Sequence, residues 1–302
     1  MEKLIEKAIM TKLPSRTSIS IPSSANFGLE IENNDFNNQD EWDDAERIIK
    51  NIDSRLCVHD DRSLSYIDDN GKVKLGLEVS TPILQNKKAD IKLLKKLSKT
   101  LKYINPKYNI SSFQVNLDDN LNFEERLELL KMYAYYEKVI MRFCRGNDKE
   151  LRQCTGIYAY YIYYELLSEL QSEKSIEEKI QTFTERKMFG INLKNKQKRI
   201  IEFRAPNGCN DLELWLNYIN TFYYLVDAVS KKKYDKELID FNFSKEHKTF
   251  DDEYLYNYRC FSIHEKLAID FVNTIFDNEL DKLYFLKQYI GKDEEYTKVL
   301  IK

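Results

Sequence analysis

The sequence predicts an α+β protein whose strands pair mainly as antiparallel hairpins. Two apolar runs, at 64–67 and 73–79, are separated by an Asn-Gly turn at 70–71, and Asn-Gly is among the strongest short-range hairpin signals. A second pair of runs, at 188–193 and 199–203, is joined by a lysine-rich turn. Longer segments between these pairs carry apolar residues at the spacing of helices. Together these patterns indicate an antiparallel sheet packed against helices.

The remaining elements follow from periodicity along the chain. A short apolar run at 26–32 precedes an Asn- and Asp-rich stretch that we interpret as a loop. Apolar and polar residues alternate over 110–117, which predicts a strand. The apolar pattern lapses around 235–252, so we predict a boundary after residue 232. Helices are predicted over 42–55, 91–103, 123–143, 158–170, 212–229 and 254–290.

Composition excludes several classes of protein. The 302 residues include 47 basic and 50 acidic side chains, and the formal charge of -3 gives no strong electrostatic case for nucleic acid. No stretch approaches the roughly 18 consecutive apolar residues of a membrane helix, and the charged N-terminus does not resemble a secretory signal. Five cysteines without a CxxC pair favour a reducing compartment. We therefore predict a cytoplasmic protein that binds neither nucleic acid nor membranes; its oligomeric state stays open.

The predicted strands share one further feature, a polar set of side chains opposite an apolar set. Residues two apart on a strand lie on the same face, so each strand offers one or two polar residues to a common face of the sheet. Glycines at 28, 76 and 190 accompany these residues and leave room for a close approach to the backbone. The polar set consists of Glu30, Glu32, Glu78, Gln114, Asn116, Asn192, Glu202 and Arg204.

Two interpretations of this face are open from alternation alone. An antiparallel sheet commonly has one solvated face, and for any single strand that is the ordinary explanation. Four glutamates on one face, however, would repel one another. A cluster of oxygen ligands without His or Cys is what Mg²⁺ or Mn²⁺ prefers. The second interpretation is therefore a metal-dependent site on the sheet.

Five short motifs, in the right order over roughly residues 26 to 230, resemble those of the amidoligase family. The segment 28–32 is similar to G-x-E-x-E, 61–64 to D-G-S-L, and 76–82 to G-x-E-x-x-(S/T)-P. The segment 112–116 is similar to the family's G-x-H-V-(N/H) strand, and 189–193 followed by 201–208 to its pair N-L … (V/I)-E-F-R-x-x-x-G-T. Arg62 stands where the family has glycine, Gln114 stands where it has histidine, and Cys209 or Asn210 stands where it usually has threonine.

The resemblance implies a glutamine-synthetase-like antiparallel sheet with one polar, metal-binding face and helices packed on the other. It also implies ATP-dependent formation of an amide or isopeptide bond through an acyl phosphate, with Mg²⁺ (Mn²⁺ as the alternative). The substrates would be a small-molecule or peptide carboxylate and an amine. On this basis residues 1–232 are predicted to be an amidoligase-like catalytic domain, and 233–302 a C-terminal helical extension.

Specific roles follow from the resemblance and from side-chain chemistry. The chain has no phosphate-binding loop, so phosphates would be held through metals. The alternative is a catalytically silent relative that binds a nucleotide or peptide. We predict Glu30, Glu32, Glu78 and Glu202 as metal ligands; Glu30, Glu32, Glu202, Arg204 and Asn192 as ATP-binding; Arg204, Asp61 and Gln114 as catalytic; and Asp61, Asn116, Arg152 and Arg199 as substrate-binding. His59 is predicted to be a surface or loop residue.

Overall fold

The computed structural model describes residues 2–104, 111–145, 161–194, 199–244 and 264–291. Within these ranges the protein is α+β, with an open antiparallel sheet of eight strands and with eleven helices, which confirms the predicted class and strand direction. The strands are β1 (Asn26–Phe36), β2 (Cys57–Asp60), β3 (Tyr66–Ile67), β4 (Val73–Ser80), β5 (Leu84–Gln85), β6 (Phe113–Asp118), β7 (Ile191–Leu193) and β8 (Ile200–Phe203).

The helices are interleaved with the strands along the chain. A single 3₁₀ turn, Arg62–Leu64, lies between β2 and β3. None of the helices in the described ranges is long and apolar enough to cross a membrane. They are α1 (Glu2–Met10), α2 (Gln39–Lys50), α3 (Lys88–Ile104), α4 (Phe123–Tyr135), α5 (Glu137–Cys144), α6 (Tyr163–Leu170), α7 (Ile176–Thr182), α8 (Leu212–Ser230), α9 (Lys236–Asn242), α10 (Glu265–Ile275) and α11 (Glu279–Ile290).

Strand β1 is the longest strand and lies in the middle of the sheet. The strand order is β2-β4-β1-β6-β8-β7, with β3 also pairing with β4 and β5 with β1. Both predicted hairpins are present, as β3–β4 and β7–β8, and Gly71 adopts the positive φ of 75° that the first turn requires. The sheet is therefore built from adjacent antiparallel strands, as the turn signals predict.

Helix α8 packs against the apolar side chains of the two strands nearest to it. The ring of Trp215 stacks on Phe113 of β6 with centroids 5.6 Å apart, and Phe222 stacks on Phe203 of β8 at 4.2 Å. All four side chains are fully buried. Burial of large aromatic rings contributes apolar area and favourable ring geometry together, so this contact anchors the helix layer to the sheet.

The C-terminal helices contribute to the same hydrophobic core. Phe285 of α11 stacks on Phe143 of α5 with centroids 4.3 Å apart. The guanidinium of the buried Arg142 donates from Nε to the carbonyl of Tyr289 at 2.9 Å. The helical pattern predicted over 254–290 is present from residue 265 as two helices, and 254–263 lies outside the described residues.

Several predicted boundaries were wrong. The helix predicted over 123–143 is two helices, because Tyr136 leaves helical geometry at φ −93° and ψ 8°. At this break the buried carboxylate of Glu137 accepts hydrogen bonds from the backbone N–H groups of Ile162 and Tyr163, at 2.8 and 3.3 Å. The loop predicted after residue 32 is part of β1, which continues through a register shift with Asp35 at φ 83°. Strand β2 and helices α1, α7 and α9 were not predicted.

Candidate functional site

Strand pairing places the predicted polar residues side by side across five strands. Residues paired directly in an antiparallel sheet share a face, with Cβ atoms about 5 Å apart. The pairs run from β4 through β1, β6 and β8 to β7. They are Glu78 with Glu32, Glu30 with Gln114, Asn116 with Glu202, and Glu202 with Asn192.

These side chains are withdrawn from solvent. Glu30, Glu78 and Asn116 are half-buried. The others have exposed fractions of 6% or less, so a solvated sheet face does not describe them. They are Glu32 at 4%, Gln114 at 2%, Asn192 at 0%, Glu202 at 1% and Arg204 at 6%.

One end of this set, which we call the acidic end, consists of Glu32, Asp61 and Glu78. Carboxylate oxygens of all three lie within 4.8 Å of one another. Asp61 starts the 3₁₀ turn and its Oδ1 accepts hydrogen bonds from the N–H and Oγ of Ser63, at 2.9 and 2.7 Å. Glu32 accepts from the N–H of Ser112 at 2.8 Å. Three carboxyl groups thus converge from two strands and a turn.

Gly76 makes this convergence possible. A Cβ at Gly76 would lie 2.3 Å from the Cβ of Leu64 and 2.5 Å from the backbone oxygen of Asp61. Such distances are far below van der Waals contact, so only glycine lets the turn that carries Asp61 lie directly on β4, two residues from Glu78. The close approach expected at the glycines is therefore made here by the protein itself. At Gly190 the space is likewise taken, by Tyr133 and Ala205.

Two carboxyl groups of the acidic end, Glu78 and Asp61, have no cationic partner among the described residues. Burial, together with the charges of Glu30, Glu32 and Asp61, raises the pKa of Glu78 to about 7. Within the described residues neither Glu78 nor Asp61 forms an ion pair, and Glu78 accepts one hydrogen bond, from Ser80 Oγ at 3.3 Å. A hard divalent cation would relieve this repulsion, since carboxylate oxygens are its preferred ligands.

The other end, which we call the paired end, consists of Asn192, Lys194, Glu202 and Arg204. Lys194 Nζ lies 3.0 Å from Glu202 Oε1, and Arg204 Nη1 lies 3.1 Å from Glu202 Oε2. Asn192 Nδ2 donates to the same Oε2 at 2.7 Å. Burial opposes ionisation of Glu202, but Arg204, Asn192 and Lys194 outweigh it and lower the pKa of this carboxyl below its usual value. Glu202 is thus held as a carboxylate.

Three polar atoms at or beside the paired end are buried and have no hydrogen-bond partner among the described residues. They are Arg204 Nε, Asn192 Oδ1 and Asn116 Oδ1. The amide orientations are determined because Asn192 and Asn116 each donate from Nδ2 to a carboxylate. Buried polar groups are normally satisfied, so unpartnered atoms clustered on one sheet face indicate a place for a polar ligand or ordered water.

Gln114 and Glu30 connect the two ends. Gln114 Oε1 accepts from Arg204 Nη1 at 2.7 Å, and its Nε2 lies 3.3 Å from Glu32 Oε1. Glu30 accepts from Asn116 Nδ2 at 2.9 Å. Burial raises the pKa of Glu30, as does the charge of Glu202, while Asn116, Lys194 and Arg204 act in the opposite direction. Both polar groups of the Gln114 amide are therefore used in linking Arg204 to Glu32.

Two further predicted residues are less informative. Arg199 is exposed at the start of β8, with φ 48°, and its backbone oxygen accepts from the N–H of Asp119 at 2.8 Å. Its charge acts on the carboxyl of Asp119. Arg152 lies outside the described residues. Arg62, the family's glycine position, is 93% exposed beside Asp60.

Sequence reasoning missed Lys194 and misplaced His59. Asn192 and Lys194 are two residues apart, so the alternation that selected Asn192 also selects Lys194, but the strand was predicted to end at residue 193. His59 is exposed as predicted, yet it lies on β2 directly opposite Glu78 and not in a loop. Because single exposed histidines are common, the sequence around His59 gives no indication that this residue pairs with Glu78.

No model of a known protein family matches the chain, and no curated protein matches it either.

Proposed function

We propose that this protein is an ATP- and Mg²⁺-dependent carboxylate-amine ligase of the amidoligase type, with a glutamine-synthetase-like sheet. The observation that carries the proposal is the occurrence, along one row of paired strands, of a convergent carboxylate trio and of a buried arginine whose Nε has no hydrogen-bond partner among the described residues. The order of the five motifs supports the same class. In keeping with it we propose residues 1–232 as the catalytic domain, 233–302 as a helical extension and a cytoplasmic location.

The donor set fits a hard divalent cation. Glu32, Asp61 and Glu78 offer oxygens within 4.8 Å of one another, and two of the three have no cationic partner in the described part of the chain. Mg²⁺ and Mn²⁺ bind such carboxylates together with phosphate oxygens. Glu30, half-buried between the two ends, is the next candidate ligand. The cation would supply charge neutralisation for a nucleotide that no phosphate-binding loop holds.

A carboxylate does not condense with an amine at neutral pH without activation, and ATP bound with Mg²⁺ would supply the activating phosphoryl group. A substrate carboxylate oxygen then bonds to the γ-phosphorus as ADP leaves. The amine nitrogen next bonds to the acyl carbon, phosphate leaves, and the nitrogen gives up a proton. Arg204 offers positive charge to the phosphoryl oxygens. In this proposal Asp61, at the less buried edge of the acidic end, binds the incoming ammonium group or takes from it the proton whose loss frees the nitrogen lone pair for attack.

Gln114 orients the site in this proposal and transfers no proton. Its amide accepts from Arg204 and donates to Glu32, and an amide has no titrating group near neutral pH. It therefore holds the guanidinium and the metal-binding carboxylate at a fixed separation. Asn116 and Asn192 leave their Oδ1 atoms available to N–H donors of a substrate.

The test is ADP release from ATP with Mg²⁺ over a panel of amino acids and short peptides as acid and amine. We expect release that needs both substrates and that disappears in Glu78→Gln. The matched control is Asp60→Asn, which removes a neighbouring acid that is exposed and outside the carboxylate trio. ATP binding measured by calorimetry is expected to need the divalent ion. The contrary outcome is a wild-type protein that binds ATP without any turnover, together with a Gln114→His variant that does turn over ATP. That result would show that the wild type is a catalytically silent binding module and not a ligase.

A further inference from the structure

The oxygens of Glu202 are already used. Oε1 is 3.0 Å from Lys194 Nζ, and Oε2 accepts from Asn192 at 2.7 Å and lies 3.1 Å from Arg204 Nη1. The side chain is 1% exposed. Two of its three contacts are with cations, so a metal ion would be a third positive centre on one carboxylate and would compete with charge-assisted contacts of the strong kind.

The cations that hold Glu202 keep donors to spare. An ammonium has three N–H groups and a guanidinium five. Arg204 Nε is buried without a partner in the described residues. Two cations against one carboxylate leave a positive charge at the paired end, and the neighbouring Glu30, which faces the same cations, is the group that partly offsets it. A buried, unsatisfied guanidinium N–H beside a lysine is a receptor for an oxyanion.

We propose, building on the proposed function, that Lys194 is a further ligand-binding residue, which together with Arg204 receives a phosphoryl oxyanion. Glu202 is then a positioning residue that holds the two cations, and it is not a metal ligand. Metal binding then involves the acidic end, with Glu30 as the next candidate ligand, and does not involve Glu202. Lys194 supplies at Glu202 the positive charge that a second metal ion would otherwise supply.

The first test separates the two ends by metal affinity. Mn²⁺ binding to the full chain without nucleotide is measured by electron paramagnetic resonance for the wild type, Glu78→Gln and Glu202→Gln. We expect Glu78→Gln to weaken binding at least about tenfold and Glu202→Gln to change it less than about threefold, because ligand number and charge set the affinity of an oxygen site. Equal weakening by both variants would return Glu202 to the metal ligands and overturn the proposal.

The second test measures inorganic pyrophosphate by calorimetry at saturating Mg²⁺. Lys194→Met should weaken binding about tenfold or more, the usual range for losing a hydrogen bond to a charged group. The control is Lys131→Met, since the Lys131 side chain is 12% exposed, against 14% for Lys194, and forms ion pairs with Glu128 and Asp240 on α4 and α9, outside the polar set. Succinate, titrated in the same way, tests whether the site prefers a phosphoryl or a carboxylate oxyanion. If Lys194→Met weakened the binding of succinate but not that of pyrophosphate, the phosphoryl assignment would be wrong.

A double variant separates direct binding from charge compensation. Lys194→Met with Glu202→Gln restores the net charge of the paired end but not the ammonium donor. If Lys194 contacts the ligand, the double variant stays as weak as Lys194→Met; if it recovers wild-type pyrophosphate affinity, Lys194 only neutralises Glu202 and the proposal fails. Melting curves of each variant control for folding.

The positioning role of Glu202 has its own readout. Glu202→Gln keeps an acceptor for Arg204 and should retain pyrophosphate binding, whereas Glu202→Ala removes the anchor and should weaken binding despite removing a negative charge. Tighter binding in both variants would show that Glu202 acts by repulsion alone. If the wild type bound no Mn²⁺, the proposed ligase function would be wrong. The pyrophosphate measurements would still test whether Lys194 binds an oxyanion.

Discussion

The acidic end and the paired end each contain a glutamate of the polar set, Glu78 and Glu202, but the surroundings of the two carboxyl groups compensate charge in opposite ways. At the acidic end Glu78 has no cation partner among the described residues, and its pKa is raised to about 7 by burial and by three neighbouring carboxylates. At the paired end the pKa of Glu202 is lowered, because Arg204, Asn192 and Lys194 outweigh burial. Without an added cation Glu78 is only partly ionised near neutral pH, whereas Glu202 is held as a carboxylate by its neighbours.

This difference shows that the position of a glutamate on the polar face does not decide its role; its neighbours do. Gln114 joins the two ends, with 2.7 Å to Arg204 and 3.3 Å to Glu32. If the acidic end binds a metal and the paired end an oxyanion, the side-chain amide of Gln114 would fix the distance between the two. Substitutions at the acidic end, at Gln114 and at Gly76 beneath the turn of Asp61 each test a different part of this arrangement.

The largest effect is expected at the acidic end. Glu78→Gln keeps the shape of the side chain but removes a charge on which metal binding would depend. We expect ADP release to fall about a thousandfold or more, since a bound metal contributes several kcal/mol to charge stabilisation in the transition state. The measurement is steady-state turnover at saturating Mg²⁺, with Asp60→Asn as the matched variant. Turnover within a few-fold of wild type would remove Glu78 from the metal site.

A smaller effect is expected at the link. Gln114→Ala removes the acceptor for Arg204 and the donor to Glu32, so both ends lose their fixed separation. The rate should fall on the order of 10², as for loss of one aligned donor. Gln85→Ala is the control, because Gln85 also lies in the sheet but its side chain donates to Asn26 at 2.7 Å and contacts no residue of the acidic end or the paired end. A rise in turnover for Gln114→His would show that an imidazole is required and that orientation alone is not the role of this position.

Much of this arrangement could be predicted from the sequence, and the failures have physical causes. Alternation identified Glu30, Glu32 and Gln114 because strand geometry is local. That Asp61 joins Glu32 and Glu78 depends on how the 3₁₀ turn lies on Gly76, a contact between segments that no local pattern encodes. Lys194 was missed because a strand end is the least certain feature of a periodic pattern.

The helix break has a similar explanation. Helical spacing continues through 123–143 without Pro or Gly, so periodicity alone predicts one helix. The break at Tyr136 coincides with tertiary contacts, a hydrogen bond from its hydroxyl to Asp270 at 2.6 Å and the burial of Glu137. Neither the partner nor the burial is visible in the local sequence.

The support below Asp61 can be tested by a stability measurement. Gly76→Ala places a Cβ 2.3 Å from Leu64 Cβ and 2.5 Å from the Asp61 oxygen, so the turn must move. We expect a loss of about 1 to 3 kcal/mol in the free energy of unfolding, the usual cost of overpacking, together with weaker Mn²⁺ binding. Gly28→Ala is the control, since its nearest neighbour, Asn116 Cβ, would be 3.8 Å away. Equal stabilities in denaturant titrations of the two variants would show that Gly76 does not support the turn.

The smallest effect is a pH dependence that separates the two ends without any assay of activity. Between its usual value of 4.5 and the folded value of about 7, Glu78 keeps its proton in the folded protein but loses it in the unfolded chain. The folded state binds more protons in this window, so the free energy of unfolding falls as pH rises through it. Glu78→Gln has no proton to lose, and its melting temperature relative to wild type should therefore increase from pH 5 to pH 8, by a few degrees at most.

Glu202, whose pKa is lowered, has the opposite sign: its carboxylate adds stability above the usual glutamate range, and that contribution is lost only on acidification. Saturating Mg²⁺ should abolish the pH dependence of the difference at Glu78, because the ion favours the carboxylate. A difference that is the same at pH 5 and pH 8, measured in chelator, would mean that Glu78 ionises normally and that the acidic end is not electrostatically strained.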